Sequence, residues 1–437
     1  MQQMAWGETT IERVAKQTKE PEWVTGLRRK ALARHQELPW PHPSDDVWRR
    51  TDVSLLDPFQ GFAPPATSVL QSIPLTDPQV ARWLHPLGDE HLAVRANGVW
   101  VTEPDLPGVA LQAFSQGASL TPEVARRILA ANGLTDAEEK FASLNRAFHH
   151  DALWVRVPRE TAVDRPLRLV HLLSVAAKQV AFPLTIVTVG SGSRVTLIDE
   201  YLSVDPTPSA DAHLINSRIE LLIEPNASVH YVRLQRWAPS AREFLFQRAT
   251  LASGATLTMA NLYLGASLSK AHIVTTLAGE HASSKLYGFV FGRNRQHVDQ
   301  HTLQDHQAPH TTSDLEVRAA LQDESRMVYT GLIRIAKQAQ HTTAYQANRN
   351  LLLSPKAQAE TIPMLEILAD DVQCKHAASI GPIDEEQAFY LMSRGVPRAT
   401  AERLIVMGFV EPIVQQIPFA PLQEQLRQEI EGSLHGK

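Results

Sequence analysis

The chain has 437 residues and a formal net charge of -5, with 43% hydrophobic and 20% charged residues. A chain of this length exceeds the size at which one compact core usually stops growing, so two or three domains or an elongated fold are predicted. The composition is that of a globular protein, and the slightly acidic balance gives no reason to expect nucleic acid or an anionic membrane as a partner.

The chain start carries Glu8 and Glu12 where an export signal would need basic residues followed by an apolar run. We therefore predict no targeting peptide and a cytoplasmic location. The apolar run at 404–410 is far shorter than the roughly 20 residues that cross a bilayer, so no membrane span is expected. The single cysteine, Cys374, excludes an internal disulfide and any site built from several thiolates of this chain.

Helices are predicted for the first fifty residues. Thr9 and Glu12 have the spacing of a capping box, and the apolar spacing after Pro21 predicts a second helix. Scattered Pro and Gly predict mostly loop over 51–118, with short helices such as the one over "DPQVARWL".

Two further helices are predicted before residue 150. The first begins at Thr121 and ends at Gly133, and the second begins with Thr135 and Glu138 as a capping box. The second helix presents three apolar side chains on one side, namely Phe141, Leu144 and Phe148.

From about residue 152 to about 380 the apolar period changes from helical to two, which predicts β-strands. The strand pattern recurs loosely about every thirty residues, a weak indication of stacked coils such as a parallel β-helix, although a sandwich or barrel would give similar local patterns. The extent of the region without an amphipathic helix favours stacking. The recurring apolar pairs are Val195/Leu197, Val229/Tyr231, Leu257/Met259, Tyr287/Phe289 and Met327/Tyr329.

A helical tail follows. Asp384 is predicted to cap a helix that Gly395 ends, and a second helix is predicted from Pro397 to Gly408. A third helix follows Phe419 and places three apolar residues at i+4 spacing, namely Leu422, Leu426 and Ile430. The tail is too small to bury much by itself, so we expect it to pack on the β region or to receive a partner.

Sequence motifs for nucleotide hydrolysis, dinucleotide binding, zinc-protease chemistry and C-x-x-C redox chemistry do not occur in the chain. Nucleotide hydrolysis by this chain alone is therefore not expected.

A histidine-rich stretch covers 297–314. Its spacings fit no metal-ligand template on strands, where side chains alternate between faces, so a structural role is favoured over a metal site. The polar residues concerned are His297, His301, His306 and His310, with Asp299, Asp305 and Asp314.

Cys374 and His376 form the sharper candidate. On a strand these two side chains face the same side while Lys375 faces away, an arrangement that suits capture of a soft or borderline metal. The pair cannot close a tetrahedral site without ligands from a partner, and by spacing alone a buried apolar role for the cysteine is the commoner case. Asp370 and Asp371 would face opposite sides of a strand, which favours a turn there.

Three segments together resemble the SufB/SufD family of iron-sulfur cluster assembly proteins, and within it the SufD branch most closely, because SufB relatives usually carry additional cysteines. These segments are "EPEWVTGLRRKAL", "NRNLLLSPKAQAETIPMLEILADDVQCKHAASIGPID" and "FYLMSRGVPRATAERLIVMGFV". The resemblance implies a mainly β fold, a right-handed parallel β-helix flanked by helical regions. The divisions we expect are an N-terminal helical region and linker at 1–150, a β-helix core at 151–382 and a C-terminal helical ATPase-docking region at 383–437.

The function that the resemblance implies is that of a non-enzymatic scaffold, pairing with a SufB-like subunit and docking a SufC-like ABC ATPase. It implies that the last coils form the subunit interface, where Cys374 and His376 would share a nascent iron-sulfur cluster or iron with the partner. Lys375 beside the cysteine is expected to favour the thiolate. The residues that match the ATPase-docking helix are Tyr390, Ser393, Arg394 and Gly395.

Two alternatives stay open from the sequence. A β-helix carbohydrate-active enzyme would need clustered acidic groups and aromatic sugar platforms, yet only 6% of residues are aromatic. A homodimer that uses the same edge of the β-helix is the simpler alternative.

Overall fold

The structure is a computed structural model that describes residues 6–63, 73, 75, 78–104, 106, 108–113, 125, 134–149, 151–203 and 211–434. The helix expected over 121–133 lies outside the described residues, except for Ala125. Within the described ranges, no helix combines the length and hydropathy needed to cross a membrane.

The N-terminal part contains helices before and beside the first strands. Their bounds are α1 (Glu8–Thr18), α2 (Glu22–Glu37), α3 (Pro78–Ala81) and α4 (Asp136–Phe148), with 3-10 turns at Val53–Leu56 and Arg82–Leu84. The two helices expected at the chain start are confirmed, but the capping box at Thr9 is wrong. The N-cap is Gly7, without a side-chain cap, and Thr9 lies inside the helix.

The capping box of α4 is confirmed. The Thr135 hydroxyl accepts a hydrogen bond from the Glu138 backbone N–H, and the Glu138 carboxylate accepts one from the Thr135 N–H. The apolar side of α4 is buried as expected, at Phe141, Leu144 and Phe148.

Three short strands occupy the stretch that we expected to be mostly loop, namely β1 (His91–Ala96), β2 (Val99–Thr102) and β3 (Ala110–Ala113). β1 pairs parallel to the strand Leu167–Leu173, and β3 pairs antiparallel to the strand Asp151–Val157. The parallel partner of β1 and the partner of β3 are remote in sequence, so the local pattern of Pro and Gly did not reveal them. β1 and β2, by contrast, form a local antiparallel hairpin across Asn97 and Gly98, a turn signal that is present in the sequence.

The remaining strands are β4 (Asp151–Val157), β5 (Leu167–Leu173), β6 (Val180–Ala181), β7 (Pro183–Val189), β8 (Arg194–Ser203), β9 (His213–Ile223), β10 (Ser228–Arg236), β11 (Ala241–Leu251), β12 (Thr256–Tyr263), β13 (Leu268–Leu277), β14 (Ser283–Gly292), β15 (His297–His306), β16 (Thr312–Leu321), β17 (Arg326–Ile335), β18 (Thr342–Leu352), β19 (Gln358–Ile367) and β20 (Val372–Pro382). They alternate between two sheets along the chain. The first sheet has the order β2-β1-β5-β8-β10-β12-β14-β16-β18-β20, and the second has the order β19-β17-β15-β13-β11-β9-β7-β4-β3. Each coil therefore gives one strand to each sheet, and the stacked-coil prediction is confirmed as a β-solenoid of about eight coils.

The short β6 pairs with β9 beside the second sheet.

The core lies between the two sheets, where alternate side chains of each strand stack on those of the next coil. Val195, Val229 and Leu257 occupy one such column, as the sequence repeat suggests. The later pairs depart from it. Tyr287 and Phe289 face outward on the first sheet under the tail, and Met327/Tyr329 lie on the second sheet.

The tail consists of α5 (Glu385–Ser393), α6 (Arg398–Val414) and α7 (Ala420–Leu434). The Asp384 carboxylate accepts hydrogen bonds from the backbone N–H groups of Glu386 and Gln387, and Gly395 has a φ of 85°, so both predicted ends of α5 are confirmed. α6 extends past Gly408, where the prediction ended it. The apolar side of α7 is buried against the outer face of the first sheet, at Leu422, Leu426 and Ile430.

Candidate functional site

Cys374 and His376 lie on β20, the edge strand of the first sheet. Their Cα partners on β18 are Ala344 and Gln346, both of which are buried on the inner side of the sheet. Because side chains alternate along a strand, Cys374 and His376 both follow the inner face of the last coil, with Lys375 on the opposite face. Cys374 is half-buried and His376 is exposed.

The Cys374 thiol packs at the edge of a small apolar cluster. Its buried members are Ile333, Ile335, Ala339, Ala344 and Ala369. Burial raises the pKa of the Cys374 thiol, because a low-polarity environment disfavours the thiolate. The expected lowering of the thiol pKa by Lys375 is not found in the free chain, because burial sets the direction of the shift and Lys375 lies on the opposite face of β20.

The terminal coil, which we define as β19, 368–371 and β20, exposes apolar side chains. Both strands are at the ends of their sheets among the described residues, so one edge of each is unpaired. The large apolar residues exposed here are Met364, Leu365, Ile367, Leu368 and Ile380. Exposed apolar residues on unpaired strand edges favour pairing with another chain.

The histidine-rich stretch does not converge on one point. His306 is on the inner face and contacts the hydroxyl groups of Thr311 and Ser313 at 2.8 and 2.9 Å. His301 is on the outer face, 3.1 Å from Asp299 Oδ1. The part of the chain that the structure describes contains no group of three or more His, Cys, Asp or Glu residues able to hold a metal. These contacts agree with the structural role favoured by the spacing.

His310 belongs to a surface column that the sequence did not reveal. Its ring stacks between those of His281 and His341, with ring centroids 5.1 and 4.7 Å apart. His341 Nδ1 is 2.9 Å from Asp371 Oδ2, which lies in the bend that precedes β20. The column becomes visible only once the register of the coils is known.

The predicted docking residues of the tail lie at the end of α5. Tyr390 is 58% exposed, and the Arg394 guanidinium lies over its ring at 5.2 Å from the centroid. The Ser393 hydroxyl donates to the Tyr390 carbonyl oxygen at 2.7 Å. Phe389, which was not among the predicted docking residues, is 71% exposed, and helical periodicity alone could not decide whether this segment packs or is exposed.

Met392 and Leu404 are exposed on α5 and α6 as well. We define the tail surface as Phe389, Tyr390, Met392 and Leu404. Such a group of large exposed apolar side chains is typical of a protein-binding surface.

Comparison with known proteins gives a consistent assignment. Residues 172–409 match the family model described as "SUF system FeS cluster assembly, SufBD core domain". An iron-sulfur cluster assembly SufBD family protein of Synechocystis sp. is 28% identical over 441 residues, which cover 96% of this chain and 95% of that protein. A SufBD family protein of Staphylococcus haemolyticus is 23% identical over 443 residues, which cover 98% of this chain and 93% of that protein.

Proposed function

We propose that this chain acts as a non-enzymatic scaffold subunit of the SufD type. The premise is that the chain belongs to the SufBD family of SUF-system iron-sulfur cluster assembly proteins. In this proposal the terminal coil pairs with a SufB-like subunit and the tail surface binds a SufC-like ABC ATPase. The single cysteine supports the SufD branch over SufB. A carbohydrate-active role has no support from the family match.

The terminal coil carries the proposal. It combines unpaired strand edges, exposed apolar side chains and the only cysteine of the chain in one place. A partner sheet that continues the two sheets of the solenoid would satisfy the backbone groups of β19 and β20 and cover the apolar residues. A homodimer through the same edges would have the same physical basis, so the composition of the purified complex distinguishes the two.

Iron or a nascent cluster is the cargo in this proposal. Cys374 and His376 would supply one thiolate and one imidazole, and the partner subunit would supply the remaining ligands. Because burial raises the pKa of the Cys374 thiol, cargo binding must displace its proton. The thiol of the free chain is therefore mostly protonated. In the assembled interface the positive charge of the bound metal would stabilise the thiolate.

The tail would transmit movement of the ATPase to the solenoid. α6 and α7 share an apolar cluster with the outer face of the first sheet, which includes Val232, Leu262 and Phe289. The Arg318 guanidinium also donates to the Phe409 carbonyl oxygen at 2.6 Å. A force applied to the tail surface would thus reach the sheet that contains β20.

Anaerobic cluster reconstitution on the co-purified complex with SufB-like and SufC-like subunits tests the cargo site. We expect Cys374→Ser and His376→Ala to lower the iron content of the complex, while Lys375→Ala, whose side chain is on the opposite face of β20, serves as the matched control. Iron content equal to that of the parent in both site variants would refute a ligand role.

Co-expression tests the tail surface. We expect the double variant Phe389→Ala and Tyr390→Ala to lose the ATPase from the purified complex. Val99→Ala, which truncates a similarly exposed apolar residue on β2, should retain it. Full retention of the ATPase by the double variant would exclude this surface as the docking site.

A further inference from the structure

One column of inner residues changes character just before the terminal coil. Successive coils of the first sheet place Leu197, Tyr231, Met259, Leu286 and Leu315 in register. The next coil has Gln346 at this position, and the last has His376. An amide therefore occupies a place where the three preceding coils carry Met or Leu, and Gln346 is only 1% exposed.

Burying an amide is unfavourable unless both of its polar atoms find partners. Gln346 Nε2 donates to the carbonyl oxygen of Gly331 on the facing sheet at 3.2 Å. Because that carbonyl can only accept, it fixes which end of the amide carries the NH₂ group. The other end, Gln346 Oε1, is buried and has no hydrogen-bond partner among the described residues.

Gly331 gives this amide its space. A Cβ atom at Gly331 would lie 2.4 Å from Gln346 Nε2 and 2.5 Å from Oε1. The interior thus accommodates a glutamine whose oxygen remains available, although a leucine at this position would continue the apolar column. Burial of an unpaired amide oxygen lowers stability, and such a cost is typical of a residue retained for function rather than for packing.

We propose that Gln346 is a positioning residue for His376: the buried Gln346 Oε1, which is unpaired in the structure, accepts a hydrogen bond from the ring N–H of His376 when the exposed imidazole turns inward. The two residues are Cα partners on neighbouring strands, which lie about 4.8 Å apart, so the side chains on the same face are neighbours. A histidine that binds a metal through one nitrogen usually donates its other N–H to an acceptor, which fixes the tautomer and the ring direction. The inference rests on the proposed function for its metal step, and the hydrogen bond itself can be tested in the free chain.

The ring tautomer of His376 is the first readout. We would label the histidines of the full chain with ¹⁵N, assign His376 by comparison with a His376→Gln sample, and record long-range ¹H–¹⁵N correlations at a pH where the ring is neutral. The parent should show one predominant tautomer, and Gln346→Leu should show a shift towards the mixture found in free histidine. Asn348→Leu, at the next inner position of β18, should leave the His376 signals unchanged.

Iron retention by the co-purified complex is the second readout. Loss of such a supporting hydrogen bond costs about 10- to 100-fold in metal affinity, so Gln346→Leu should lower iron affinity by that order. The unfolding midpoint of the same variant should be equal to or above that of the parent, since leucine restores the apolar column. Gln346→Met gives the same comparison if leucine does not fit.

The two readouts separate the possible failures. If His376→Ala leaves iron affinity unchanged, the proposed cargo site is wrong. If His376→Ala lowers iron affinity while Gln346→Leu changes neither the tautomer nor the affinity, the site stands and the role of Gln346 is refuted. A lower unfolding midpoint with an unchanged tautomer would make Gln346 a packing residue and would also overturn the inference.

Discussion

Arg236, at the end of β10, pairs with Glu429 in the last helix of the tail, with Nη2 and Oε2 2.9 Å apart. The same guanidinium pairs with Glu200 on the neighbouring strand and lies over the ring of Trp83. A single arginine thus links the N-terminal part, the solenoid and the tail.

Glu429→Ala should therefore weaken the attachment of the tail. Arg236 is 7% exposed at its side chain, so it loses a charged hydrogen-bond partner that water only partly replaces, at about 1–2 kcal/mol of unfolding free energy. Urea unfolding and limited proteolysis of the tail measure the effect. Glu424→Ala on the same helix is the control and should cost less than about 0.5 kcal/mol, since its side chain is 60% exposed. Equal losses in the two variants would contradict the ranking.

The protein should lose stability between pH 6.5 and pH 4. Burial lowers the pKa of four histidines to about 4, namely His35, His297, His301 and His306. The unfolded chain, with histidine pKa values near 6.5, then binds more protons than the folded chain in this window, so stability is complete above pH 6.5 and falls as the pH decreases. For His306 alone the loss at pH 5 is about 2 kcal/mol.

Chemical unfolding of His306→Asn at pH 7.5 and pH 5 measures this contribution. The variant should start less stable than the parent at pH 7.5, because it loses the contacts with Thr311 and Ser313. Its stability should then decrease less steeply with acidification. A pH dependence identical to that of the parent would show that His306 does not take part.

Gly331→Ala should destabilise the solenoid by about 1–3 kcal/mol, as overpacking of a filled interior does. The added Cβ would lie 2.5 Å from Tyr329 Oη as well as against the Gln346 amide, and both side chains are buried. The double variant Gly331→Ala and Gln346→Ala should recover part of the loss, since truncation of the glutamine frees space. Thermal unfolding of the four proteins in this cycle gives the coupling, and strict additivity of the two changes would rule out the contact.

Alkylation of Cys374 in the free chain should be slow at neutral pH. Because burial raises the pKa of the thiol above its ordinary value of 9.0, the rate with iodoacetamide should increase with pH and level off only above pH 9. Mass spectrometry gives the rate without ambiguity, since the chain has one cysteine. The urea-unfolded chain provides the control and should level off at lower pH. A plateau at or below pH 9 in the folded chain would argue against the effect of burial.

Local chemistry in the sequence was sufficient for several features. The caps at Thr135 and Asp384 and the end of α5 at Gly395 depend on groups within three or four residues of one another, so spacing alone predicts them. The capping box predicted at Thr9 is wrong, because the same spacing also occurs by chance inside a helix that begins at an earlier residue.

Register was the part that the sequence could not provide. Alternation predicts that Tyr287 and Phe289 share one face, but not that this face is the outer one, covered by the tail. The same limit applies to Cys374 and His376. Their common face followed from the strand period, whereas the neighbours Ala344 and Gln346 depend on pairing across some thirty residues of chain. The metal role of the pair remains a prediction.

The ladder of the solenoid also has a consequence for handling the molecule. The strands of each coil form hydrogen bonds with the strands of the coil before it. Among the described residues, the last coil has free backbone N–H and C=O groups along β19 and β20, and another extended chain can pair with them. A preparation of this chain alone, at high concentration, should therefore tend towards end-to-end oligomers, and a second chain that covers the free edges of β19 and β20 would prevent such growth.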